Sequence, residues 1–360
     1  MPQPTQPKSL KIVSLQVCRG LAALLVVLTH IHGVEKTHFT TDHLRLFGYG
    51  DIGVDIFFVI SGIVIASVTA EKFGSPRNAT IFLYHRLARI FPIFWIYTTL
   101  TLLANWLAPL ADTNIYPRSF NILASYLLIP TQLPMPVFQG WTLSFELYFY
   151  LVVALFLLVP ERIAPSLFAL WGVAVIAFKL HVGLSPALIV NLLISPSILE
   201  FLAGYALFHI YRRSRLHPAA GIALITVSLL LLVAIILHDD PVTIVNHPWK
   251  RPLFYGSFAS LFLFGAMELE RTRIIRYLPF FASIGDWSYS IYLSHVLVVN
   301  LVTLIVRFLP GPTAIFFITA VSIAAVLFVG YLSYTCIERP LITLLYQRTP
   351  SPEIPSKQPA

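Results

Sequence analysis

Ten stretches of this chain are largely apolar over lengths close to about 20 residues: 13–31, 52–70, 90–107, 141–160, 163–180, 190–210, 219–237, 253–268, 287–308 and 313–336. A helix rising 1.5 Å per residue needs about 20 such residues to cross roughly 30 Å of hydrocarbon. In lipid a span must satisfy its own backbone polar groups, which selects helices. The predicted fold is therefore an all-α, polytopic transmembrane helix bundle of about ten spans. Charge scarcity agrees with this. Only 11% of the 360 residues are Asp, Glu, Lys or Arg, against about 25% in ordinary soluble domains. Too few charges remain to cover a soluble globule, which excludes a soluble enzyme, a nucleic-acid-binding domain and a disordered chain. The net charge of +8 then has to be read as topology.

With ten spans and a cytoplasmic N-terminus, 17 of the 24 Lys and Arg residues fall on the cytoplasmic side or at cytoplasmic helix ends, as the positive-inside rule requires. The apolar segment FNILASYLLIP (120–130) is too short to cross. Counting it as a span would move the Arg212, Arg213, Arg215 cluster and the Arg271, Arg273, Arg276 cluster outside. Residues 120–138 are accordingly expected to be re-entrant or interfacial, a conformation tolerated only against protein or a wet cavity. The first span lacks a following small-residue cleavage site and is expected to be retained. Residues 1–10 and 346–360 are Pro-rich and polar and are expected to be disordered tails around an integral membrane domain at 11–345. Cys18 and Cys336 make no disulfide framework or metal set.

Ionisable residues inside spans are costly and mark candidate functional positions. Arg19 and His30 are eleven residues apart in the first span, about 16 Å along a helix and within about 20° of one face. The bland alternative is an Arg snorkelling to headgroups and a His capping the outer end. Arg86 and Arg89, in YHRLARIFP, share a helical face. They suit a phosphate-bearing ligand or a plain positive-inside anchor. Glu146, in WTLSFELYFY (141–150), lies inside a span and must be neutral, paired or wet. Its partner there is either a structural Arg or a reacting group. Ser288, Tyr292 and His295 form a polar stripe that serves either a helix contact or a site. Asp51, Asp55 and Glu200 are further candidates near span ends. The cluster His32, Glu35, His38, Asp42 and His43 matches no zinc spacing, and no metal is expected. Neither a nucleophilic Ser elbow nor a phosphate-cradling Gly loop is present.

Taken together, these residues resemble membrane acyltransferase family 3, the bacterial O-acyltransferases that acetylate cell-surface polysaccharides. The resemblance rests on Arg-x10-His at Arg19 and His30, GVDIFFVISGIVI in the second span, and Arg86-x-x-Arg89 before an aromatic-Pro. It continues through Trp141-Thr-Leu-x-x-Glu146, SYSIYLSH ending at His295, and the closing IERP. These motifs occur in the family's order across roughly residues 10–345. Two departures stand out: Leu147 where the family often has a second acid, and Val296-Leu297 where it often has Trp-Pro. The resemblance implies an O-acetyltransferase, similar to exopolysaccharide acetyltransferases, in the bacterial inner membrane with both termini cytoplasmic. Acetyl-CoA is the implied donor, acting as co-substrate, and a hydroxyl of an exported polysaccharide or its lipid-linked precursor is the implied acceptor. In that reading His30, Glu146 and Arg19 are catalytic. Arg86 and Arg89, helped by Arg212 and Arg213, bind the CoA phosphates. Trp141, Tyr148 and His295 hold the acceptor. The bilayer is a partner and nucleic acid is not. The alternative from another class is a transporter or flippase using the same intramembrane charges.

Overall fold

The computed structural model describes residues 12–39, 41–107, 120–183, 185–275, 279–306 and 311–347. The tail predictions fall almost wholly outside these residues. Within them the chain is helical, and no strand occurs. In chain order the helices are α1 (Val13–Val34), α2 (Ile52–Thr69), α3 (Pro76–Leu107), α4 (Ile122–Tyr126), α5 (Gly140–Phe156), α6 (Ala164–Val182) and α7 (Leu188–Leu193). They continue as α8 (Ile198–Arg213), α9 (Pro218–His238), α10 (Pro241–Asn246), α11 (Ser257–Arg271), α12 (Pro279–Val306), α13 (Gly311–Ser333) and α14 (Arg339–Tyr346). Among the described residues nine helical stretches are long and apolar enough to cross a membrane, with α5 a shorter apolar tenth. The chain is an all-α, multi-pass membrane bundle.

The expected spans are present with shifted ends. The third was expected from residue 90, but α3 starts at Pro76 and carries Arg86 and Arg89 inside the helix. Pro92 is accommodated within it. The last span continues from α13 through a π-helical turn (Tyr334–Glu338) into α14. Segment 120–138 holds only the five-residue α4, followed by irregular backbone. Its backbone groups find partners in neighbouring helices. Trp95 Nε1 donates to the Tyr126 carbonyl at 2.9 Å, and Ser144 Oγ donates to the Leu128 carbonyl at 2.7 Å. Such partners are what non-helical backbone needs wherever it is packed away from water.

Two features fix α1, the helix that carries Arg19 and His30. Its first amides, on Val13 and Ser14, donate to the Glu270 carboxylate at 2.8 and 2.7 Å. Negative charge there meets the orphan donors and the positive end of the helix dipole. Along its length α1 packs closely on α12. A Cβ on Gly285 would stand 1.9 Å from the Gln16 carbonyl oxygen. Ala23, Val27 and Ile31 meet Ile291 and Val298 in one buried apolar cluster. Helices in lipid gain no hydrophobic drive toward each other, so close packing over small residues does the work. Gly285→Val is therefore expected to force α1 and α12 apart, at a cost above the ~1–3 kcal/mol typical of overpacking because the obstacle is backbone. A lowered melting midpoint of the detergent-purified variant, with loss of activity, checks this; a wild-type midpoint would refute it.

The remaining acidic and basic clusters are largely structural. Asp55 forms a two-point ion pair with Arg251 at 3.0 and 3.1 Å, with both side chains buried. The Glu200 carboxyl sits beside Asp55. Within the loop cluster considered for metal, His32 pairs with Asp42 at 2.7 Å, which holds the Asp42 carboxyl below its ordinary range. Glu35 accepts from Thr41 Oγ1 and from the His43 and Leu44 amides. Among the described residues, no three His, Cys, Asp or Glu side chains converge as metal ligands would.

Candidate active site

Because α1 and α12 touch along their length, His30 and His295 meet although 265 residues separate them. Their ring centroids are 4.7 Å apart at 79°, with His30 Nδ1 3.4 Å from His295 Nε2. The surrounding carbonyls determine both tautomers. His30 Nδ1 lies 2.8 Å from the Val26 carbonyl, which can only accept, so that nitrogen carries the proton. His295 Nδ1 is likewise protonated against the Tyr292 carbonyl at 2.6 Å. In neutral rings this leaves lone pairs on both Nε2 atoms. The His295 lone pair faces His30 Nδ1–H and accepts from Gln139 Nε2 at 3.2 Å. The His30 Nε2 lone pair is available to a substrate. A second group thus orients the imidazole, as a general base requires. The irregular segment before α5 covers this pair: Phe138 stands edge-on to His30 at 6.2 Å, and Gln139 is buried.

Next to the histidine pair a pocket opens between α1, α2, α3, α5 and α12. It is lined by Arg19, Arg86, Arg89 and Glu146, with Thr142 and Tyr292 also in its wall. The Arg19–His30 stripe therefore runs from this pocket to the imidazole pair. Glu146 accepts hydrogen bonds from Ser61 Oγ at 3.1 Å and from the Tyr150 hydroxyl. Arg86 lies over the Phe82 and Tyr150 rings, 5.6 Å from each centroid. Its Nε is buried without a hydrogen-bond partner. A buried donor left open is costly unless a ligand fills it. Lys72, in the loop between α2 and α3, adds positive charge beside Arg86. Burial and that guanidinium hold its ammonium below the ordinary lysine range. Arg19 and Arg89 lie in the field of Glu146 and Glu338.

Glu338 is the residue whose place the sequence reading missed. In the sequence it is only part of the closing IERP run. In the structure it sits on the π-helical turn after α13 with 3% of its surface exposed. It accepts from Ser290 Oγ at 2.6 Å and serves as counter-charge to Arg19 and Arg89. A glutamate directly after the last apolar run was the available signal, and π-turns often mark functional positions.

The other candidate residues stand apart from this pocket. Trp141 packs against Phe58 and Phe145, and the Arg251 guanidinium covers its ring at 5.2 Å. Tyr148 points to the opposite face of α5, where Trp171 Nε1 donates to its hydroxyl at 3.2 Å. Arg212 makes an exposed 3.6 Å ion pair with Glu71. Neither Arg212 nor Arg213 lines the pocket. Four of the expected residues, Arg19, Arg86, Arg89 and Glu146, come together there, and His30 and His295 pair beside it.

A phosphate-competent basic pocket beside an oriented imidazole is an arrangement suited to moving a group between an anionic carrier and a nucleophile. Comparisons with known proteins agree. A family profile described as an acyltransferase domain matches residues 12–333. Exopolysaccharide production protein ExoZ of Rhizobium meliloti (strain 1021) is 32% identical over 329 residues, covering 86% of this chain and 93% of its own length. Acyltransferase MdmB of Streptomyces mycarofaciens is 26% identical over 388 residues, covering 96% and 95% respectively. A Staphylococcus aureus (strain COL) protein described as a candidate O-acetyltransferase is 25% identical over 364 residues, covering 89% of this chain and 56% of its own. No solved structure matches the chain. With the bundle, the basic pocket and the family profile in agreement over nearly its whole length, the chain belongs to this acyltransferase family and is a multi-pass membrane acyltransferase.

Proposed function

We propose that this acyltransferase moves an acetyl group from acetyl-CoA to a hydroxyl of an exported polysaccharide or its lipid-linked precursor, in the bacterial inner membrane with both termini cytoplasmic. The observation that carries the reading is the three-arginine pocket lying beside the His30–His295 pair, with Tyr292 bordering both. The relative named for exopolysaccharide production supports a glycan acceptor. The excess of basic residues at one set of helix ends supports the orientation.

In this reading Arg86 and Arg89 take the phosphates of the donor, and its thioester arm reaches along the Arg19 side of the pocket. The acceptor hydroxyl comes to His30 from the side covered by Phe138. Its oxygen attacks the thioester carbonyl carbon while His30 Nε2 takes the hydroxyl proton. The new C–O bond forms and the carbonyl electron pair moves onto oxygen. The C–S bond then breaks, and the sulfur leaves with the proton from His30 as free CoA thiol. The imidazolium formed in between is held by Nδ1–H bonds to the Val26 carbonyl and the His295 lone pair. Glu146, held by Ser61 and Tyr150, offsets the positive charge of the pocket when no donor is bound.

The test uses the full chain in lipid nanodiscs with acetyl-CoA and a surface glycan. Release of CoA thiol should require the glycan and should match the ester formed on it by mass spectrometry. Glycan or solute movement in proteoliposomes with no thioester consumed would replace this reading with transport.

A further inference from the structure

Acyl transfer builds negative charge on the thioester carbonyl oxygen. A donor aimed at that oxygen is often the largest single contribution to the rate. The His30–His295 pair supplies no such donor, because its two N–H groups are already committed to carbonyls. We infer that the hydroxyl of Tyr292 is the oxyanion donor of this site, an assignment that rests on the acyl-CoA reading above.

Three observations carry the inference. First, position: Tyr292 lines the same pocket as Arg19 and Arg89. Its ring centroid also lies 5.7 Å from that of His295, so it borders both the donor pocket and the imidazole pair. Second, direction: Thr142 has one hydroxyl proton and gives it to the Gln139 carbonyl at 2.9 Å. The 2.8 Å contact between Thr142 Oγ1 and the Tyr292 hydroxyl must then have Tyr292 as donor. Unlike the histidine N–H groups, which backbone carbonyls hold, the Tyr292 proton rests on a neighbouring hydroxyl, a weaker acceptor that it can leave. Third, rigidity: Tyr292 is 6% exposed, packs edge-on to Phe57 at 5.6 Å, and binds His295 through its own backbone carbonyl. Donor and base-orienting group therefore share one helical turn of α12.

When the carbonyl oxygen becomes anionic, the Tyr292 proton turns from Thr142 to it. Thr142 keeps its bond to Gln139. One neutral hydrogen bond is exchanged for a charge-assisted one, which is roughly twice as strong. The gain appears only as charge develops, which is the condition for raising turnover rather than donor affinity.

The experiment compares wild type with Tyr292→Phe in nanodiscs. It reads kcat, KM for acetyl-CoA, affinity for plain CoA, melting midpoint, and affinity for a trifluoromethyl-ketone analogue of acetyl-CoA that adopts the tetrahedral form. Tyr292→Phe should lower kcat by about 10²–10³-fold and weaken the analogue by a similar factor. KM, CoA affinity and melting midpoint should stay near wild type. A kcat within threefold of wild type, or equal losses of analogue and plain CoA affinity, would overturn the assignment. If the variant is unstable, the analogue-to-CoA affinity ratio measured at a temperature where it remains folded decides in the same way. Wild type that consumes no acetyl-CoA would instead overturn the donor assignment, which the wild-type arm reads separately.

Discussion

His30→Ala should reduce acyl transfer by about 10²–10⁴-fold, the usual contribution of a positioned general base, while the protein still inserts and binds donor. The imidazole is half-buried, and its Nδ1 bond to Val26 lies within its own helix. Its removal takes away one base and leaves the backbone–backbone hydrogen bonds of α1 in place. His295 cannot substitute, because its Nε2 lone pair faces His30 and Gln139 in a fully buried position. Turnover of glycan-dependent thiol release, with CoA affinity and melting midpoint measured alongside, checks this. Retention of near wild-type turnover by His30→Ala would remove His30 as the base. His295→Ala acts through another residue. It should lower kcat less than His30→Ala and leave CoA affinity near wild type, because only the lone pair that orients His30 is lost.

The second large effect belongs to the arginine pair. Arg86→Ala combined with Arg89→Ala should weaken acetyl-CoA binding by about 10²–10⁴-fold, taking each charged hydrogen-bond contact as worth roughly 1.5–3 kcal/mol. The loss should fall on KM and on the dissociation constant of plain CoA, with kcat at saturating donor changed much less. The unpartnered Arg86 Nε inside the pocket is the reason to expect a ligand there rather than a lipid-facing anchor. Isothermal titration of CoA into the nanodisc-embedded double variant reads the effect. Unchanged affinity would assign these residues to topology alone. Arg212→Ala should leave donor binding near wild type, since that side chain pairs with Glu71 outside the pocket.

Much of this site was legible along the chain because helices are locally periodic. Arg19 and His30 share a stripe whatever surrounds them, and Arg86 and Arg89 share a face by their i, i+3 spacing. Glu146 stood out because a carboxylate inside an apolar run needs a partner. Trp141 and Tyr148 do not line the pocket. Their aromatic rings suit sugars, but only packing could show that Arg251 covers one and that the other faces Trp171. Arg212 and Arg213 likewise lie outside its lining.

By itself the sequence determined a membrane bundle, the approximate places of its apolar helices and the residues out of place in lipid. Each of these depends on the composition and period of one segment at a time. The tertiary structure alone decided that His30 meets His295 across 265 residues, that Asp55 pairs with Arg251 across 196, and that Glu338 turns inward toward the arginines. Those meetings depend on which helices approach each other. Approach is set by close-packed contacts such as Gly285 against Gln16, and periodicity within one segment carries no information about its neighbour.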